Sequence, residues 1–229
     1  RDGPEGVSHA AAHLRSASLR FAAGVASGTV ATIAELRARG SLGRDDLVRS
    51  YLLEGEVRQK ANDAAAAVAV FDAGLRMLPD DGELMYARAL MLAEAGRDDD
   101  MERDLRRMIE LDPNDADALN ALGYSLVDAN RQLDEAAALL ARAERISPDS
   151  AALLDSLGWL AYRRGDLDAA LEKLRAAHAR LDDPEVAAHL GEVLWKKGEH
   201  DAARKIWTEA AARDPEHRTL RETMRRLLP

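Results

Sequence analysis

Small residues recur at Gly55, Ala89, Gly123, Gly158 and Gly191, at intervals of 34, 34, 35 and 33 residues, and this recurrence constrains the fold more than any other feature. A period of that length holds two helices and two short connections, so one supersecondary unit is expected to repeat along the chain. The segment from Leu153 to Gly165 illustrates the first helix of a unit. Leu154, Leu157 and Ala161 form an apolar stripe at spacings of three and four, Gly158 admits a close neighbour, and Gly165 stops the helix.

Other positions keep the same register. Seven residues after each small position stands Asn62, Gly96, Asn130, Gly165 or Gly198, residue types that tolerate the left-handed conformation at a helix end. The second helix is expected to cross the first at Ala67, Ala136, Ala170 and Ala203, with Met101 departing in the second unit. Four residues on, Phe71, Leu105, Leu140, Leu174 and Trp207 supply a large side chain to pack back. Pro79, Pro113, Pro148, Pro184 and Pro215 are expected to close the second helices, because proline lacks an N–H and restrains its predecessor.

This helix-turn-helix period resembles the tetratricopeptide repeat, which implies an all-α, right-handed superhelical solenoid. Five repeats are expected over residues 48–217, at about 48–81, 82–115, 116–150, 151–183 and 184–217. Residues 1–47 are expected to form N-terminal helices of a degenerate or truncated repeat. Leu14, Phe21 and Val25 share one face there, and Val30, Ile33 and Leu36 another. A capping helix is expected over residues 218–229, with Leu220, Met224, Leu227 and Leu228 on its apolar face.

Composition excludes several function classes. A formal charge of −9, with basic residues interleaved among more numerous acids, argues against nucleic acid as a partner. The chain has no cysteine, hence no disulfide or thiolate metal site. No apolar run approaches the roughly 18 residues that span a bilayer. The chain starts at Arg1 without an initiator Met, so a targeting segment and further solenoid are expected upstream.

No catalytic, cofactor-binding or metal-ligating set is expected. His9 and His13 are four apart, without a HExxH pattern or third ligand, and read as surface histidines. Glu185, His189 and Glu192 share a helical side, but His189 adjoins the packing position Leu190. Asp98, Asp99 and Asp100 read as the start of a second helix, where the helix dipole favours negative charge. There is no phosphate-binding glycine loop and no nucleophile elbow.

The binding surface is the more informative feature. In stacked hairpins the first helices line a concave groove, and side chains outside the packing stripe point into it. By register the partner-binding candidates are Tyr86, Asn120, Tyr124, Asp128, Asp155, Trp159, Tyr162, Arg163, Glu192, Trp195 and Lys196. Aromatics among carboxylates suit a peptide or protein partner. Trp159 and Trp195 have a second reading, as packing between adjacent repeats. The Lys, Asn and Arg of a two-carboxylate clamp for a C-terminal peptide are mostly replaced by Asp, Glu and aromatics.

Three phrases narrow the resemblance: Leu119 to Asp128, Leu154 to Trp159 and Pro184 to Trp195. They resemble the Gram-negative family of tetratricopeptide outer-membrane lipoproteins, one of which is an adaptor for a periplasmic carboxyl-terminal processing protease that degrades cell-wall cross-link hydrolases. The resemblance implies a scaffold that binds the protease and its hydrolase substrates in the periplasm. It also implies an outer-membrane anchor, a lipid on a cysteine upstream; a cytoplasmic location stays open. The alternative is the repeat region of a larger enzyme, such as a glycosyltransferase, recruiting acceptor proteins. A self-association module is the third reading, since truncated solenoids expose apolar ends.

Overall fold

The computed structural model describes residues 4–24, 28–40 and 42–228, with side chains from residue 12 onward. Val25 lies outside the described residues, as does the side chain of His9. The described residues hold thirteen α-helices and no strand. They divide into two compact units, Arg1–Leu111 and Asp112–Pro229.

The first unit contains α1 (Pro4–Ala22), α2 (Thr29–Ala38), α3 (Arg44–Lys60), α4 (Ala64–Met77), α5 (Gly82–Glu94) and α6 (Asp98–Leu111). Here α1 packs on α2, and α3 and α5 pack on α4 and α6 respectively. Leu14, Phe21, Ile33, Leu36 and Leu53 form a core that joins the N-terminal helices to α3. The second unit contains α7 (Ala116–Asp128), α8 (Leu133–Ile146), α9 (Ala151–Arg163), α10 (Leu167–Arg180), α11 (Pro184–Lys196), α12 (His200–Arg213) and α13 (Arg218–Leu227). Its hairpins are α7/α8, α9/α10 and α11/α12. The first helices neighbour one another, α7 on α9 and α9 on α11, and α13 lies along α11.

Each hairpin turns by the same device. Asn62, Gly96, Asn130, Gly165 and Gly198 all have positive φ, between 51° and 86°. That conformation closes a double hydrogen bond over the helix end, as when Gly165 N–H donates to Tyr162 O and Asp166 N–H to Ala161 O. Side-chain caps begin many of the helices: Asp115 accepts from Ala118 N–H at 2.9 Å and Asp166 from Ala169 N–H at 3.0 Å.

Close packing explains the small residues. A Cβ added at Gly55 would lie 2.1 Å from the Phe71 ring, and one at Gly191 would lie 2.1 Å from Trp207 Nε1. At Gly123 and Gly158 the obstacles are Leu140 and Leu174, at 2.8 and 2.6 Å. Each obstacle is the large residue that the register assigns to that hairpin. The crossing residues Ala67, Ala136, Ala170 and Ala203 are buried, and Met101 is buried in the same role.

Two expectations change. Pro184 occupies the first turn of α11, where its missing N–H costs no hydrogen bond; α10 ends at Arg180, followed by extended Leu181. On α9, Leu157 and Ala161 are only half-buried, whereas Leu153 and Leu160 are buried with Leu154. The reason is that α9 meets α7, α8, α10 and α11, so its buried surface is wider than a single stripe. At α13, Leu220 is buried, and Met224, Leu227 and Leu228 pack on a core shared with α10, α11 and α12.

Candidate functional site

The first helices of the second unit assemble one network of aromatic rings and carboxylates. From α7 come Tyr124 and Asp128; from α9, Asp155, Trp159, Tyr162 and Arg163; from α11, Glu185, His189 and Glu192. Their spacing within each helix, three and four residues, puts them on one side of the helix. Asn120 of α7 stays outside the network, its Oδ1 buried with no hydrogen-bond partner among the described residues.

Trp159 lies at the centre. It is 4% exposed, stacks on His189 with centroids 4.1 Å apart, and stacks on Tyr162 at 4.7 Å. Its indole N–H donates to Asp128 Oδ1 at 3.3 Å, and the Arg163 guanidinium stands 4.8 Å from its ring centroid. Arg163 also donates to the Asp128 carbonyl at 2.9 Å. Asp155, 6% exposed, holds His189 Nδ1 at 3.0 Å from each carboxylate oxygen. Asp155 and Trp159 are thus committed to neighbouring helices.

The rim has the same character. Tyr124 donates to Glu185 Oε1 at 2.7 Å, and Thr219 of α13 donates to the same oxygen at 3.3 Å. Burial, then the charge of Glu185, pushes the Tyr124 hydroxyl pKa well above its usual range. Tyr162 donates to Glu192 Oε1 at 2.8 Å; burial and this bond push its pKa up to about 12. Arg226 of α13 donates to Glu192 Oε2, and that bond raises the guanidinium pKa. Both tyrosines stay neutral and serve as donors.

The remaining candidates lie apart. Trp195 is half-buried between α11 and α12, stacked on His200 at 4.1 Å and 5.1 Å from Arg204. Lys196 is exposed at the end of α11. Tyr86 is half-buried on α5, in the first unit. Ala188 of α11 is buried, and its carbonyl accepts a hydrogen bond from the Trp207 indole N–H.

Sequence reasoning set His189 beside the packing position Leu190 and assigned Arg226 no role. The structure gives Glu185, His189 and Glu192 each their own partners: Glu185 holds Tyr124 and Thr219, His189 holds Asp155, and Glu192 holds Tyr162 and Arg226. Among the described residues, no group of three or more His, Asp or Glu side chains is arranged to hold a metal ion.

The tetratricopeptide repeat model matches residues 52–100, 102–151 and 156–219, well over half of the chain. The chain belongs to the tetratricopeptide repeat family. A TPR repeat-containing protein of Pseudomonas aeruginosa is 44% identical over 149 residues, which cover 65% of this chain and 25% of that protein. The chain therefore spans about a quarter of that relative's length. The crystal structure of a thermophilic TPR protein from Thermus thermophilus superposes with a TM-score of 0.68 at 23% identity, covering 81% of this chain and 99% of that one. YrrB, described as a TPR protein with an unusual peptide-binding site, gives a TM-score of 0.56 at 23% identity, covering 77% of this chain and 89% of its own. At these identities the two structures show the tetratricopeptide fold alone.

Proposed function

We propose that this tetratricopeptide chain is a non-catalytic adaptor that binds a periplasmic carboxyl-terminal processing protease and presents cell-wall hydrolase substrates to it. The carrying observation is where the three distinctive phrases fall. They lie on α7, α9 and α11, three neighbouring first helices, and their polar and aromatic side chains meet in one network. The tetratricopeptide fold supports an interaction scaffold, and the 44% identity to the Pseudomonas protein supports a Gram-negative setting.

The adaptor works without chemistry of its own. Holding protease and substrate on one scaffold raises the effective concentration of each near the other. A lipid anchor upstream would confine the pair to the outer membrane's periplasmic face. The network's part is preorganisation: with aromatic rings already fixed, little side-chain entropy is lost on docking.

The test is a binding titration of the purified protease against three charge reversals. Asp117→Lys on α7 and Lys196→Glu on α11 alter exposed residues of the first helices, and Arg145→Glu alters an exposed residue of α8. The two first-helix variants should bind at least about tenfold more weakly, a difference of roughly 1.4 kcal/mol, and Arg145→Glu should bind normally. Unchanged affinity in all the variants, or no binding by the unmodified chain, refutes the proposal.

A further inference from the structure

Of the described histidines, His189 alone is buried, at 1% exposure. Its surroundings are charged from several sides. Asp155 on α9 faces Nδ1 through both oxygens, and Glu185 stands one turn earlier on α11 itself. Asp128 of α7 approaches through the Trp159 N–H, and the Tyr124 ring lies 6.0 Å away. The nearby cations are already engaged, Arg163 with Asp128 and Trp159 and Arg226 with Glu192. The core beside α11 is otherwise apolar, with Leu171 and Leu174 of α10, Trp207 of α12 and Leu220 of α13. His189 Nε2 is buried and bonds no described residue, so the ring's hydrogen bonding to the protein runs through Nδ1 alone.

We propose that the His189–Asp155 pair is a protonation latch on the first-helix face of the second unit. While the imidazole holds both protons, it clamps α9 to α11 and, through the stacked Trp159 and its bond to Asp128, to α7. When the second proton leaves, Asp155 keeps a neutral N–H donor but loses the opposite charge, and the indole loses a cation from its face. The face then loosens.

Two effects oppose each other at the ring. Burial alone would lower the His189 pKa, but the charge of Asp155 and its hydrogen bond, with the fields of Glu185 and Asp128, outweigh burial and raise it. A folded-state value above the unfolded one means that the stabilisation is fully present below the ordinary histidine value of about 6.5. It is lost as pH rises through the folded value. The second unit should therefore be most secure on the acidic side and weaken toward alkali.

The latch concerns how the face is held together and does not depend on what docks there, so its readouts use the chain alone. In a ring-proton NMR titration, His189 should lose its proton above the ordinary histidine value of about 6.5. All three tryptophans lie in the second unit, so indole fluorescence reports its melting. Between pH 6 and pH 9 the melting temperature of the natural chain should fall by more than that of His189→Gln, which keeps a donor but no charge. Asp155→Asn should show the same flattened response and serves if the first variant does not fold. Titration of His189 at or below the ordinary histidine value of about 6.5 overturns the latch. An equal fall in melting temperature for the natural chain and the variant does so as well.

Discussion

Gly191→Ala isolates the packing rule on which the repeat depends. The new Cβ would lie 2.1 Å from Trp207 Nε1, 2.4 Å from Cε2 and 2.7 Å from Cδ1. Trp207 is fully buried and donates to Ala188 O at 3.3 Å, so the indole has no free direction in which to move. Overpacking of a close-packed core costs about 1–3 kcal/mol, and displacing the indole from its hydrogen bond adds about 1 kcal/mol. Replacing glycine by alanine inside a helix returns about 0.5–1 kcal/mol. The net expectation is a loss of about 1–3.5 kcal/mol. In urea denaturation followed by circular dichroism, the midpoint of the second unit should fall by on the order of 1 M.

The partner substitution makes this reasoning refutable. Ala89 and Leu105 occupy the equivalent positions in another hairpin, both buried, so an alanine is compatible with a leucine there. In a Trp207→Leu background, Gly191→Ala should cost far less, giving a coupling of about 2 kcal/mol in a double-mutant cycle. Gly82→Ala is the control: its Cβ would meet nothing within 4 Å, and its effect should stay within about 0.5 kcal/mol. A neutral Gly191→Ala, or costs that simply add in the double variant, would show that the small position is not set by the large one.

Three further outcomes follow from local geometry. Gly165→Ala forces an L side chain to φ +85° in otherwise open space, and should cost about 1–2 kcal/mol by thermal melting, whereas Asn130→Gly at φ 51° should be nearly neutral. Asp115→Ala removes the acceptor for Ala118 N–H and should cost about 1 kcal/mol in the same assay. Arg88→Ala strips Asp104 of a two-bond partner at 2.7 Å and Asp72 of a third bond, leaving the buried Asp104 carboxylate unpaired. Urea unfolding of the first unit should show a loss of roughly 2 kcal/mol, most of it restored by Asp104→Asn in the same chain.

The sequence made the repeat legible because its determinants are local and periodic. A left-handed turn at Asn62 or Gly198, and a missing Cβ opposite Phe71 or Trp207, recur wherever two helices cross in the same way. Pro184 was misread because proline is equally at home just after one helix and at the first turn of the next. The network was harder to see because its partners are one repeat or more apart: Asp155 and His189 by 34 residues, Trp159 and Asp128 by 31, Tyr124 and Glu185 by 61. Complementary donors and acceptors about 30–35 residues apart were the available signal, and Tyr162 with Glu192 repeats it. Burial of Asp155 and Trp159 was hidden for a related reason, since a helix enclosed by four others has little free face left.

The claim that the first helices of the second unit receive the protein partner is tested most directly by NMR mapping, with unlabelled protease added to the isotope-labelled chain. The adaptor reading predicts that shifts and line broadening concentrate on α7, α9 and α11, with the Trp159 and Trp195 indole N–H signals among those that move. Perturbations confined to α8, α10 and α12, with both indole signals unchanged, would contradict it.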